Sequence, residues 1–267
     1  MQYFYHYEEK DGYIDVIKAK DVMKYVGAGV LKLDANKSYC AKSEGNEVVL
    51  VILSGKAHVK VYGNYFENLG ERDDVFSGKA TAVYIPKDSS YEVTEARGSQ
   101  VEIAVLSSPA EKKFAPFVVT PGEVVANLRG MPGYRREVHD IIVENGEGRV
   151  DKIVVGETFS YPGEWSSYPS HKHDKFDPPN ETEMEEIYLF KVKPKEGFGV
   201  QVMYNDDFSM RNAYIIKNND MVAIPQGYHP VAAAPGFKLY YLWVMAGPSG
   251  RKLTPKDDLK IVNSMLR

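Results

Sequence analysis

Short apolar runs, many rich in β-branched and aromatic residues, recur along most of the chain and are separated by turn residues. Runs of this length bounded by Gly, Pro, Asn or Asp are typical of β-strands. The pattern predicts strands at residues 47–53, 57–61, 82–85, 101–106, 152–159, 187–192, 200–204, 221–224 and 238–245. Many short strands with few helices indicate an all-β sandwich or barrel.

Helical periodicity is weak by comparison. One short helix is predicted over residues 121–128, with Thr120 as its cap and Pro121 at the first helical position. A second is predicted over residues 255–266.

Three short matches recur along the chain, each separated from its partner by 139 residues. They pair residues 47–53 with 186–192, 84–86 with 223–225, and 106–109 with 245–248. A constant spacing is the signature of an internal repeat. It predicts two tandem copies of one β domain, at residues 1–118 and 119–267.

Composition and charge narrow the class of protein. Bases number 33 and acids 37, for a net charge of −4, which argues against a nucleic-acid partner. No apolar run approaches the roughly 20 residues that span a bilayer, and the first residues show no signal pattern. With Cys40 as the single cysteine, no internal disulfide forms. A cytoplasmic protein is predicted.

The candidate chemistry lies in the second half of the chain. His171 and His173 flank Lys172, so on a strand both imidazoles point to one face and the lysine to the other. Glu186 begins the next predicted strand, and His229 follows a Pro-Gln-Gly-Tyr segment. Three imidazoles and one carboxylate on neighbouring strands form a divalent metal site with open positions.

The first copy lacks these residues. Ser90 stands where the repeat places the counterpart of His229, and no histidine precedes Glu47 in the corresponding region. We therefore expect a metal-free first domain, with Glu47 as a solvated residue at a strand edge.

The order of these ligands resembles the bipartite motif of the cupin superfamily, whose domains are double-sheet jelly rolls. The chain further resembles the family of 5-deoxy-glucuronate isomerases of bacterial myo-inositol catabolism. The similar segments are residues 53–57, 66–72, 165–174, 185–188, 197–204, 227–231, 239–242 and 244–247. The resemblance implies a bicupin that converts 5-deoxy-glucuronate to 5-dehydro-2-deoxy-gluconate.

Such an aldose–ketose isomerisation passes through an enediolate, which a divalent metal stabilises and a general base creates. One ion per chain is expected, zinc first, with iron, manganese or nickel as alternatives that the ligand set also accepts. The base is predicted to be Glu186, a metal-bound hydroxide, or Tyr188, whose alternative role is core packing. Arg136 is predicted to bind the substrate carboxylate, with Arg251 and Lys175 as further options. Tyr204 and Tyr241 are further predicted to contact the substrate.

Other functions remain open at this point. Trp243 and the segment Pro132-Gly133 depart from the pattern of the 5-deoxy-glucuronate isomerases. A tryptophan at position 243 is similar to the sister family, the 4-deoxy-5-keto-uronate isomerases. A non-catalytic sugar-acid-binding cupin and a metal dioxygenase are the alternatives from other classes. The loop over residues 174–184 is either a lid or a solvated surface loop. A small sugar acid is the predicted partner, and exposed strand edges predict a homo-oligomer.

Overall fold

The computed structural model describes residues 2–19 and 22–265, which are almost entirely strands and turns. The first half contains β1 (Phe4–His6), β2 (Gly12–Ile17), β3 (Gly27–Asp34), β4 (Ser38–Lys42), β5 (Asn46–Ser54), β6 (Ala57–Val61), β7 (Asn64–Leu69), β8 (Thr81–Ile85), β9 (Ser90–Glu95), β10 (Gln100–Pro109) and β11 (Phe117–Val119). The second contains β12 (Val125–Arg129), β13 (Arg136–Ile142), β14 (Val154–Ser160), β15 (Trp165–Ser166), β16 (His171–Lys172), β17 (Glu185–Lys193), β18 (Gly199–Tyr204), β19 (Arg211–Ile216), β20 (Asp220–Ile224), β21 (Val231–Ala233), β22 (Lys238–Ala246) and β23 (Lys256–Asp257), then α1 (Leu259–Ser264).

Each half forms a sandwich of a large and a small antiparallel sheet. In the first, the order β11-β8-β5-β10-β3-β2 packs on β4-β9-β6-β7. In the second, β1-β20-β17-β22-β14-β13-β12 packs on β15-β21-β18-β19, with β16 and β23 as a separate pair. One edge strand crosses between the halves, since β1 pairs with β20 of the second half, whereas β11 pairs with β8 of the first half. The division at residues 118 and 119 stays a prediction.

Every predicted strand is present, but the helix predicted over residues 121–128 is wrong. Thr120 instead begins a turn in which the Glu123 carboxylate accepts from its backbone N–H and its hydroxyl, both at 2.8 Å. The chain then enters β12, which pairs with β13, because sheet pairing outweighs a local capping signal. The C-terminal helix is shorter than predicted: Asp258 caps it at its N-terminus, and Leu266 lies outside the described residues.

Within the described part of the chain, no helix has the length and apolar character needed to cross a bilayer.

The two large sheets pack face to face and bury a shared apolar core between the halves. Val49, Val51 and Leu106 contribute to it from the first half, and Ile187 and Leu242 from the second. A strand such as β5 or β17 is therefore buried on both faces, and successive residues along it point into different cores.

Strand register refines the internal repeat. Val48 on β5 lies opposite Ile85, and Glu186 on β17 lies opposite Ile224. Since the repeat matches Ile85 with Ile224, the counterpart of Glu186 is Val48. Glu47 thus corresponds to Glu185, one residue from the match that the sequence indicates.

The expectation of a solvated Glu47 is also wrong, because its side chain is fully buried between the halves. The carboxylate accepts from the backbone N–H groups of residues 151–153 at 2.7–2.8 Å and from the Tyr84 hydroxyl at 3.0 Å. Glu185 makes the reciprocal contact, accepting from the N–H groups of residues 24 and 25 at 2.7 Å. Each carboxylate therefore fastens its own strand to the other half.

Glu47→Gln removes the charge and directs an amide N–H toward backbone donors. We expect it to lower the free energy of unfolding by about 3 kcal/mol, as for buried hydrogen bonds to a charged group. Urea unfolding measures the change, with the exposed Glu67→Gln as a control that stays within about 0.5 kcal/mol of wild type. A loss below about 1 kcal/mol at Glu47 would contradict the assignment.

Candidate metal centre

A cavity of about 760 Å³ lies in the second sandwich, against the inward face of its large sheet. On β17, Glu186 and Tyr188 point into this sandwich, whereas Glu185 and Ile187 point toward the first half. The alternation of side chains along a strand produces this division.

Three predicted ligands converge at the cavity, where His173 and Glu186 form part of the wall and His229 lies against Glu186. The Oε2 atom of Glu186 lies 3.3 Å from Nε2 of His173 and 3.2 Å from Nε2 of His229. All three side chains are buried, and their ligand atoms lie within 4.8 Å of one another. His171 lies beside this group, with its ring centroid 5.0 Å from that of His229 and 6.3 Å from that of His173. The structure thus brings three ligands together and leaves the fourth adjacent.

Backbone carbonyls orient two of the imidazoles. Nδ1 of His173 contacts the Met184 carbonyl at 2.9 Å, and Nδ1 of His229 contacts the Gly227 carbonyl at 2.8 Å. A carbonyl only accepts, so in the neutral rings Nδ1 carries the proton and Nε2 presents a lone pair.

These lone pairs point toward the Glu186 carboxylate, which is itself an acceptor. Nε2 of His229 is fully buried and makes no hydrogen bond within the described residues. A cation between the three groups would satisfy all of them. The nitrogen and oxygen donors match the ligand chemistry of a divalent transition metal.

Electrostatics favour the metal-binding form of Glu186 and His171, whereas at His173 the Glu186 carboxylate outweighs burial and raises the pKa. Burial would raise the pKa of Glu186, but the close approach of the His173 and His229 imidazoles outweighs it and lowers that pKa to about 2. Burial, with the neighbouring His229 and His173, lowers the pKa of His171 to about 3. At neutral pH Glu186 is therefore ionised and His171 is neutral, so neither must lose a proton to coordinate a metal.

A buried ion-pair network holds the segment that carries the first two histidines. Lys172 points away from the cavity, as predicted, and donates to Glu181 at 2.9 Å and to Asp174 at 2.5 Å. Asp174 also accepts from the Gly227 N–H at 2.7 Å, which ties this segment to the loop before His229. Since Glu181 is fully buried, the loop over residues 174–184 is anchored at that point and is not a purely solvated loop.

A cluster of hydroxyl groups lies beside the predicted ligands. The Ser167 hydroxyl is 3.1 Å from that of Tyr188 and 3.3 Å from that of Tyr241, and the two tyrosine rings are 4.4 Å apart. Burial raises the pKa of both tyrosines, so both hydroxyls keep their protons at neutral pH. Ser167 was not predicted, because no local pattern marks a serine that joins two strands.

The cavity also contains Arg136, which is half-buried and donates to the carbonyls of Tyr134 at 3.2 Å and Tyr168 at 2.9 Å. Tyr204, predicted to contact substrate, lies outside this cavity. Its hydroxyl donates to the helix cap Asp258 at 3.0 Å and its ring stacks on Tyr228, so a contact between Tyr204 and substrate stays a prediction.

Trp243 forms part of the cavity wall, and its Nε1 donates to the Thr158 hydroxyl at 3.1 Å. The indole covers Gly156, where a Cβ atom would come within 2.1 Å of the ring. The tryptophan therefore depends on a glycine on the neighbouring strand. Arg251 and Lys175, the other candidate cations, contact Val143 and Asp206 respectively.

Known proteins resemble this chain over most of its length. The KduI/IolB family matches residues 4–262. A 5-deoxy-glucuronate isomerase from Geobacillus thermodenitrificans (strain NG80-2) is 38% identical over 226 residues, 84% of this chain and 81% of that protein. One from Bacillus subtilis (strain 168) is 35% identical over 236 residues, 88% of this chain and 86% of that protein.

Solved structures give the same picture for the fold. The crystal structure of an IolB-like protein from Salmonella typhimurium LT2 superposes with a TM-score of 0.92 at 33% identity, covering 99% of this chain and all of the other. Oxalate decarboxylase from Lactobacillus farciminis gives a TM-score of 0.69 at 10% identity, covering 100% of this chain and 91% of that chain, and supports the fold alone. The predicted all-β bicupin fold is confirmed.

The convergent geometry predicts unequal contributions to metal affinity. We expect His173→Ala, Glu186→Ala or His229→Ala to weaken Zn²⁺ binding by at least about 100-fold, and His171→Ala by about 10-fold. Competition with a chromogenic chelator measures the affinity, and His58→Ala in the first half is the control. Equal Zn²⁺ affinity in wild type and His229→Ala would show that these residues form no metal site.

Proposed function

The chain belongs to the KduI/IolB family, and from that premise we propose that it isomerises 5-deoxy-glucuronate to 5-dehydro-2-deoxy-gluconate with the help of a divalent metal, as a step of inositol catabolism. The observation that carries the proposal is the convergence of His173, Glu186 and His229 at the wall of a cavity that also contains an arginine and two tyrosines. The cavity volume of about 760 Å³ is in the range of small-molecule sites.

The side chains of His171, His173, Glu186 and His229 would hold the ion, with zinc first and iron, manganese or nickel as alternatives. Bound there, a divalent ion supplies Lewis-acid stabilisation of negative charge on the substrate oxygens.

The reaction moves one proton between adjacent carbons and one between their oxygens. Glu186 is ionised and lies in the cavity wall, so it is suited to take the proton from the hydroxyl-bearing carbon and return it to the former aldehyde carbon. Tyr188, on the same face of β17, keeps its proton at neutral pH and can donate it to a developing enediolate oxygen. As Tyr188 gives its proton to the former aldehyde oxygen, Ser167 can pass one on from Tyr241, and Tyr241 can take the proton that leaves the neighbouring substrate hydroxyl, so both tyrosines end protonated.

An alternative substrate within the same family is a 4-deoxy-5-keto-uronate. Trp243 favours this alternative substrate. Its indole occupies part of the cavity wall, at a position where we expect a small polar residue in the 5-deoxy-glucuronate isomerases. Turnover of each sugar acid can be measured with the same protein preparation.

Removal of the metal should abolish turnover without unfolding the protein, because the sandwiches are held by apolar burial. Chelation followed by dialysis should lower kcat for 5-deoxy-glucuronate by at least about 1000-fold, and Zn²⁺ or Mn²⁺ should restore it. Circular dichroism checks that the fold is kept. Full activity of the metal-free protein would contradict the mechanism, and turnover of the 4-deoxy-5-keto-uronate alone would select the alternative.

Tyr188→Phe removes a single hydroxyl from a buried ring. We expect kcat to fall by about 100-fold or more, as for loss of a general acid, while KM changes little. The exposed Tyr65→Phe is the matched control and should keep wild-type kcat. A Tyr188→Phe enzyme with unchanged kcat would leave core packing as the role of this tyrosine.

A further inference from the structure

Two arginines stand directly opposite each other at the cavity. Arg129 is the last residue of β12 and pairs with Arg136, the first residue of β13. Both line the cavity. Cross-strand partners have Cβ atoms about 5 Å apart, where like charges destabilise a sheet. An anion bound beside both guanidinium groups would offset this repulsion.

Within residues 2–19 and 22–265, neither guanidinium has a carboxylate oxygen within 4.0 Å. Asp140 lies on the same wall and its carboxylate accepts from Asn127 at 3.0 Å. Burial raises the pKa of Asp140 and the charge of Arg129 opposes that rise, but the two side chains form no ion pair. Burial lowers the pKa of Arg136, and the charge of Arg129 lowers it further, which agrees with an uncompensated pair.

The backbone between the two arginines is built around the Arg136 guanidinium. Gly130 has φ +85°, and a Cβ there would lie 2.1 Å from the Tyr134 carbonyl oxygen and 3.0 Å from a terminal nitrogen of Arg136. That nitrogen donates to the carbonyls of Tyr134 and Tyr168, which fixes the plane of the guanidinium. The remaining N–H groups are free to bind a ligand, and a preorganised fork binds carboxylates in two-point fashion.

We propose that Arg129 and Arg136 together form the carboxylate-binding subsite of the cavity. The subsite takes the terminal carboxylate of an open-chain sugar acid, while the carbonyl end lies at His173, Glu186 and His229. This inference rests on the proposed function and adds Arg129 as a specificity-determining residue. Arg251 does not share the role, because it donates to the Val143 carbonyl at 2.8 Å and lies 3.6 Å from Glu147.

Arg129 is the residue to vary, because it is exposed and makes no hydrogen bond that the fold needs, whereas Arg136 supports two loop carbonyls. Arg129→Gln should raise KM for 5-deoxy-glucuronate about 10- to 100-fold, with kcat changed less than about 3-fold. Arg129→Lys keeps the positive charge but loses the two-point geometry of the guanidinium, so its KM should lie between those of wild type and Arg129→Gln. Lys252→Gln is the control, since it removes another cation from the cavity wall outside the subsite.

Binding of D-glucuronate to the Zn²⁺-loaded protein by calorimetry is the second readout, independent of turnover. We expect Arg129→Gln to weaken it about 10- to 100-fold and Lys252→Gln to leave it within about 3-fold of wild type. An unchanged KM in Arg129→Gln would contradict the proposed subsite, and so would an equal rise in KM in Arg129→Gln and Lys252→Gln. If the wild-type protein does not isomerise 5-deoxy-glucuronate, the proposed function is wrong. The affinities of wild type and Arg129→Gln for glucuronate then still test the proposed subsite. Absence of glucuronate binding by wild type overturns it as well.

Discussion

Face-to-face packing of the two large sheets is the constraint on which the rest of the molecule depends. Because β5 and β17 are buried on both sides, adjacent residues on each strand belong to different cores. On β17, Glu185 points to the other half and binds its amides, whereas Glu186 points into the cavity. On β5, Glu47 has the first role and Val48 occupies the second position. Both halves thus carry a buried carboxylate that binds the other half, and only the second half has a neighbouring carboxylate that faces a cavity.

The candidate centre is preorganised by its surroundings. Carbonyls of Met184 and Gly227 fix the protonated nitrogens of two imidazoles, so the other nitrogens are directed at Glu186 before any ion arrives. Beneath them, Lys172 and Asp174 join the two chain segments that carry the histidines. Converging acceptors repel one another, and folding that holds them together leaves a site whose free energy a cation lowers.

The strands and the convergence of candidate metal ligands could be predicted because their signals are local. Alternating apolar runs mark the strands, and His-x-His, a strand-initial glutamate and Pro-x-Gly-x-His mark the candidate ligands at fixed spacings. The helix predicted at residues 121–128 is wrong. Thr120 and Glu123 do form a capping contact, but the residues that follow pair with β13 and form a strand. The hydrogen bond from the Tyr204 hydroxyl to Asp258 had no local signal, because the two residues lie 54 positions apart in the chain.

From the sequence alone followed the all-β class, the duplication, the metal-ligand candidates and the absence of an equivalent set in the first copy. Tertiary structure alone decided that Glu47 is a buried clamp, that Ser167 joins two tyrosines, and that Arg129 faces Arg136 across a hairpin. The physical reason is sequence separation. A residue's own strand and face are set by its neighbours in the chain, but its partners are set by which sheets pack together, and no local pattern encodes that.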